Sequence, residues 1–219
     1  MVYIAIAKLF PSAGKRDAVL DALKPEFKHV YDNEKDFCPA YFFYNTVEGE
    51  DIIGIELYNT KDDLFNKHMK SGPFEKFVEE STPLVRSPFT LGNYEPANVG
   101  FLARPGYGQK FVKDSKILAI EFTLKPGTRD RFLEDGKALV ENVFKTEPNC
   151  FGYYFMKSLD SPDKVAIFER YKTLEDIEVT HVNSDTFKKI FGAFEADKII
   201  TEQSVVICTD SGVGFLDRS

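Results

Sequence analysis

The chain has 219 residues, a formal net charge of −7, 43% hydrophobic residues, 21 phenylalanines, 10 tyrosines and no tryptophan. That acidic balance, with no basic cluster, excludes nucleic acid and anionic membrane as expected partners, because both need a basic surface. No apolar run is long enough for a membrane span, and Met1-Val2-Tyr3-Ile4-Ala5-Ile6 carries no positive region ahead of an apolar one, so a soluble, cytoplasmic protein is expected.

In chain order, apolar residues at period two over residues 2–9 predict a first strand. Pro11-Ser12-Ala13-Gly14 turns the chain into a helix whose inner face is Val19, Leu20, Leu23, Phe27 and Val30. Pro25 lies inside that helix and predicts a kink or break near Lys24. Residues 41–47 and 52–58 flank Glu48-Gly49-Glu50-Asp51 as a hairpin, and a second helical region carries Leu64, His68, Phe74 and Phe77. Residues 95–115, rich in glycine and proline, read as a connector. The same order then returns. Residues 117–124 form a strand and Lys125-Pro126-Gly127-Thr128 a turn; Phe132, Leu133, Val140, Val143 and Phe144 mark a helix face. A hairpin follows from residues 153–159 and 165–171, then a helical region with Ile177, His181, Phe187, Ile190 and Phe191, and a last strand clearest at residues 204–209.

The return is a duplication. His68 and His181 lie 113 residues apart, and each opens H-x-x-S-x-x-F, with Ser71 and Phe74 in one copy and Ser184 and Phe187 in the other. Upstream, E-x-Y-x-T occurs as Glu56, Tyr58, Thr60 and as Glu169, Tyr171, Thr173. Gly14, Arg16, Asp17, Leu20 and Glu34 match Gly127, Arg129, Asp130, Leu133 and Glu147 at the same offset. Two domains are expected, residues 1–107 and 114–219, each β-α-β-β-α-β, the ferredoxin-like order. One copy leaves a sheet face bare, which the other covers. Cys38, Cys150 and Cys208 are spaced for neither a metal site nor a disulfide frame and read as buried structural thiols.

Each copy ends in a tail, Val99-Gly100-Phe101-Leu102 with Arg104 and Val213-Gly214-Phe215-Leu216 with Arg218. Two readings stay open. Phe101 and Phe215 plug apolar grooves while their arginines pair with carboxylates, or Arg104 and Arg218 face a pocket and neutralise an acidic or enolic ligand.

Lys125-Pro126-Gly127 with Asp130, the segment from Glu147 to Tyr153, E-x-Y-x-T and H-x-x-S-x-x-F together resemble the antibiotic biosynthesis monooxygenase (ABM) family, across nearly all of copy two and more loosely in copy one. The resemblance implies an α+β fold in which two tandem ferredoxin-like modules pair their antiparallel sheets into an intramolecular dimeric α/β barrel. Its members include oxygenases that make quinones from anthrones or quinols without metal or flavin, haem-degrading enzymes, an isomerase and proteins without known activity, so fold does not fix function. This chain carries Tyr58 and Tyr171 where the family usually has tryptophan, which weakens the haem reading.

By that resemblance His68 and His181 are the candidate bases, histidine having an ordinary pKa of about 6.5, and Tyr58 and Tyr171 candidate donors. Asn45 is a polar residue near the hairpin, and Tyr41, Phe43, Tyr153 and Phe155 alternate along the second strands as candidate pocket lining. The competing reading makes each histidine structural, held by the glutamate of E-x-Y. His29 has no partner in copy two and reads as a solvated surface residue. The expected activity is cofactor-independent oxygenation of a small phenol such as an anthrone or quinol, with no metal. The alternative is a non-enzymatic, stress-associated barrel that binds an apolar ligand; haem binding, through His68 or His181 as axial ligand, comes third. A homodimer of fused barrels is a possible assembly. Copy two keeps the family pattern more closely, and copy one is the one expected to have diverged for ligand or interface.

Overall fold

Period-two patterning puts every second side chain of a strand on the same face, and here both faces of each sheet are apolar, so each must be covered twice. The computed structural model describes residues 2–218 and shows how. The first module is β1 (Tyr3–Pro11), α1 (Arg16–Asn33), β2 (Ala40–Thr46), β3 (Ile52–Tyr58), α2 (Gly72–Ser81) and β4 (Val85–Phe101). The second is β5 (Lys116–Leu124), α3 (Arg129–Thr146), β6 (Cys150–Ser158), β7 (Lys164–Tyr171), α4 (Asp185–Ala196) and β8 (Ile200–Phe215). The strands close in the order β1-β3-β2-β8-β5-β7-β6-β4, all antiparallel, into one eight-stranded barrel. Ile4, Phe42, Ile55, Ile117, Met156 and Phe168 fill the barrel interior from both modules. The helices cover the outside, enclosing one further core per module.

Two expectations change. Helix α1 does not break at Pro25 but runs 18 residues through it. Pro25 lies on the exposed face, so the Asp21 carbonyl that loses its hydrogen bond is left to water and not to the core. The supposed connector is strand as far as Phe101: β4 pairs with β1 up to Tyr94 and then crosses to β6, ending with Phe101 opposite Tyr153. Its twin β8 leaves β5 at Thr209 and joins β2, ending with Phe215 opposite Tyr41. Each tail therefore completes the sheet of the other module. The glycine before each phenylalanine is required, because a Cβ on Gly100 or Gly214 would meet the carbonyl oxygen of Tyr153 or Tyr41 at 1.9 and 2.2 Å, and both have positive φ.

The tail arginines settle between their two readings in a third way. Arg104 donates from Nε to the Cys150 carbonyl at 2.5 Å and from Nη2 to the carbonyls of Val143, Phe144 and Glu147 at 3.1, 2.9 and 3.0 Å. Arg218 does the same to Val30, Tyr31 and Cys38 across the barrel. Each guanidinium caps the C-terminal end of the other module's first helix, where carbonyls lack partners and the dipole favours a cation. Neither arginine lines the module one cavity or cleft described below, and among the described residues neither forms a salt bridge with a carboxylate.

The remaining linker packs over one barrel end. Arg170, 1% exposed, pairs with Asp210 at 2.7 Å and donates to the carbonyls of Tyr107 and Lys110. Tyr107 stacks on Phe151 with ring centroids 4.1 Å apart. The three cysteines are buried and free, and among the described residues no helix is long and apolar enough to cross a membrane.

Candidate functional site

The repeated motifs build the same buried cluster twice. Thr60 and Asp63 bond reciprocally through side chain and backbone at the start of a π-helical turn (Asp63–Lys67) that delivers His68 inward. Thr173 and Asp176 do the same ahead of His181. Three residues on, Ser71 and Ser184 cap α2 and α4 by accepting from the backbone N–H of Phe74 and Phe187. The phenylalanine of the motif then packs its ring on the histidine, at 5.1 Å in module one and 4.9 Å in module two. H-x-x-S-x-x-F thus encodes a turn, a cap and a ring contact.

Both histidines are 1% exposed. His68 Nδ1 lies 2.9 Å from Glu34 Oε2, and His181 Nδ1 3.1 Å from Glu147 Oε2. The carboxylate holding the imidazole is therefore the one at the end of the first helix and not that of E-x-Y. Glu56 instead accepts from Tyr58 at 2.8 Å, while Tyr171 donates to Glu147 at 3.4 Å and Tyr153 lies 3.5 Å from His181 Nε2. Burial alone would depress the pKa of His68; the Glu34 hydrogen bond and the charges of Glu26, Glu56 and Glu34 outweigh it and raise it. His181 follows the same logic with Glu147 and Glu169. Burial lifts Glu56 above the usual carboxylate range, opposed by His68 and the Tyr58 bond, and lifts Glu169 to about 7.

The two clusters differ at one buried acid. Glu26, 1% exposed, accepts from Tyr41 at 2.6 Å and lies 3.3 Å from His68 Nε2; burial raises its pKa to about 8. Its counterpart is Leu139.

The space around the clusters differs more. In module one a cavity of about 20 Å³, room for a water, is lined by Ala7, Leu9, Tyr41, Phe43, Glu56 and Phe74, among others. It shares Leu9, Phe77 and Phe89 with a cleft of about 330 Å³ between β1, α2 and β4. Module two fills the equivalent positions. The paired residues Ala7 and Gly54 become the paired residues Ile120 and Ile167, and Leu9, Val19 and Ser81 become Phe122, Phe132 and Phe194. Phe194 stacks on Phe132 at 4.8 Å. What remains there is a larger outer groove of about 930 Å³ floored by Phe187, Phe191 and Phe194, which reaches neither Tyr153 nor Glu169. A third cleft, of about 490 Å³, lies at the barrel mouth beside Lys8 and Val206, again away from both clusters. Among these spaces, the module one cavity is the one lined by an acid of the buried clusters, Glu56.

Among the sequence candidates, the structure gathers His68, Tyr58, Tyr41 and Phe43 in module one and His181, Tyr171, Tyr153 and Phe155 in module two. Asn45 lies further along β2, its Oδ1 buried without a hydrogen-bond partner, and lines neither the cavity nor the cleft. Glu26 was not signalled by any motif; its only trace in the sequence is the leucine at the matching position. Among the described residues no group of three His, Cys, Asp or Glu side chains is arranged to hold a metal ion.

Residues 117–193 match the family described as antibiotic biosynthesis monooxygenase. No curated protein matches the chain. Among solved structures, a candidate monooxygenase from Fusobacterium nucleatum superposes with a TM-score of 0.81 at 15% identity over 100% of this chain and 97% of its own. A candidate monooxygenase from Lactobacillus acidophilus NCFM gives 0.77 at 16% identity over 95% and 93%. An anthrone oxidase-like protein gives 0.65 at 12% identity over 95% and 90%. At these identities the likeness is one of fold, and it extends over both modules.

Proposed function

We propose that the chain, whose residues 117–193 match the antibiotic biosynthesis monooxygenase family and whose first module repeats the fold of the second, is a cofactor-independent monooxygenase with its working site in the cleft of module one. The observation that carries this reading is that Glu56 and Tyr41 line an apolar cavity there, while module two closes the same space with Ile120, Phe122 and Phe194. A small phenolic substrate of the anthrone or quinol type enters between Phe77 and Phe89. Its hydroxyl proton passes to Glu56, a stronger base than an exposed carboxylate because burial raises its pKa, held in place by the Tyr58 hydroxyl. The electron-rich anion then reacts with oxygen in surroundings that exclude water. At an activated methylene carbon one oxygen atom becomes the carbonyl, and the other leaves as water with the two hydrogens removed from that carbon.

In this reading His68 acts through Glu34, Glu26 and Glu56 and touches no substrate; it is a positioning residue. Haem ligation finds less support, since each imidazole is 1% exposed and lines none of the clefts described above. The test is oxygen uptake by the metal-stripped protein with anthrones, naphthols and hydroquinones. Uptake matched by quinone formation, reduced at least tenfold by Glu56→Gln and unchanged by Glu169→Gln, supports the proposal. Tight binding of the same phenols without uptake would favour the ligand-binding barrel instead.

A further inference from the structure

Glu26 and His29 lie one turn apart on α1, where module two has Leu139 and Asn142. Between them they extend the buried cluster in both directions. The Tyr41 hydroxyl, on the cavity wall, donates to Glu26 Oε2 at 2.6 Å. Glu26 Oε1 is 3.3 Å from His68 Nε2, and His68 Nδ1 is 2.9 Å from Glu34 Oε2. Glu34 Oε1 is 3.7 Å from His29 Nε2, and His29 is 30% exposed, the first member of the series in contact with water. We propose that Tyr41, Glu26, His68, Glu34 and His29 form a proton relay joining the module one cavity to solvent. Module two keeps the tyrosine, Tyr153, 3.5 Å from His181 Nε2, but has Leu139 and Asn142 in place of Glu26 and His29, so its cluster lacks both the carboxylate on the Nε2 side and the outward histidine. The proposal rests on reading module one as the oxygenase site, where a relay removes the proton released on substrate ionisation.

The polar atoms support the route. Glu26 Oε1 and His68 Nε2 are both buried without a hydrogen-bond partner, yet they face each other. An unpaired buried polar group costs about 1–3 kcal/mol, and one proton shared between these two atoms satisfies both. A pair that holds one mobile proton between a carboxylate and an imidazole is the central link of a relay. Outward passage moves the Tyr41 proton to Glu26 as the proton that Glu56, its register partner on β3, has taken from the substrate replaces it, then a proton from Glu26 to His68 Nε2 while the His68 Nδ1 proton passes to Glu34, then a proton from Glu34 to His29 and from His29 to water. One N–H or O–H bond breaks and one forms at every hop, with a net transfer of one proton and no electrons. The Asn33 side-chain amide lies 3.2 Å from His29 Nδ1 and, presenting either its carbonyl or its amino group, supports either tautomer of the ring.

The relay is testable without turnover. Imidazole N–H exchange with solvent, followed by NMR, compares His68 with His181 as an internal control of equal burial. The relay predicts that His68 exchanges at least tenfold faster than His181, that His29→Asn brings it down to the His181 rate with thermal stability unchanged, and that added imidazole restores it. Glu26→Gln should leave His68 exchange fast while slowing exchange of the Tyr41 hydroxyl. Equal rates at His68 and His181, or no effect of His29→Asn, would overturn the proposal. Because no substrate is involved, a protein that relays protons but consumes no oxygen would refute the oxygenase reading alone.

Discussion

Lys8 and Glu121 occupy the same position in the two copies, 113 residues apart, and their side chains meet at 2.7 Å across the barrel. They sit on β1 and β5, at the end of the barrel opposite the Arg170–Asp210 pair. A pair of identical modules would place like charges together here, lysine on lysine or glutamate on glutamate. The fused chain has resolved that conflict by making the copies complementary, which marks the assembly as built for unlike halves.

Reversing one charge should therefore cost stability and reversing both should return it. Both side chains are more than a third exposed, so the effect is small, about 0.5–1 kcal/mol. Lys8→Glu or Glu121→Lys is expected to lower the midpoint of thermal unfolding by a few degrees, with the double exchange close to the original. A double variant as weak as the sum of the single ones would show that the pair is not coupled.

Filling the module one cleft with the residues of module two should abolish ligand access and leave the fold. Leu9→Phe with Ser81→Phe reproduces Phe122 and Phe194, and the added bulk should cost about 1–3 kcal/mol. Affinity for a phenol, measured by calorimetry, is expected to fall at least tenfold. Unchanged affinity would place the ligand elsewhere.

Arg104→Ala should act on stability and not on binding. It strips charge-assisted hydrogen bonds from the carbonyls of Val143, Phe144, Glu147 and Cys150, a loss of about 2–4 kcal/mol in chemical denaturation. Phenol affinity should stay within twofold, whereas a large drop in affinity with intact stability would return the arginine to the pocket.

Stability should decline as pH rises from about 5 to 8. Glu26 has a folded pKa of about 8 against an ordinary 4.5, so the folded state holds its proton where the unfolded state has released it. That preference is fully present below pH 4.5 and is lost as pH climbs through 8; Glu169, lifted to about 7, has the same sign. Each such group contributes a slope of up to about 1.4 kcal/mol per pH unit. Glu26→Gln should flatten denaturation midpoints between pH 5 and 8, and an identical slope in the variant would rule out Glu26 as the titrating group.

Much of this was legible before the fold was known. The H-x-x-S-x-x-F spacing located both buried histidines, because a cap and a ring contact one turn apart leave a periodic trace. Glu34 and Glu147 were visible as repeated residues, but their pairing with His68 and His181 joins elements 34 residues apart and has no local signature. Pairing between Arg104 and a carboxylate was a fair expectation from charge, yet charge cannot distinguish a carboxylate from a helix end crowded with carbonyls. Glu26 stayed hidden in a helix that also exposes Lys24 and Lys28, and only the leucine at position 139 betrays that the site faces inward. The cavity arises from small residues, Ala7 and Gly54, whose significance appears only against Ile120 and Ile167.

In this reading module one holds the site and module two has filled its own. That division is tested most directly by a crystal structure of the protein with a redox-inert phenol bound. Ligand is expected between Leu9, Phe77 and Phe89 with its hydroxyl within hydrogen-bond distance of Glu56, and none beside Glu169. Ligand in the module two groove or at the barrel mouth, with the module one cleft empty, would contradict it.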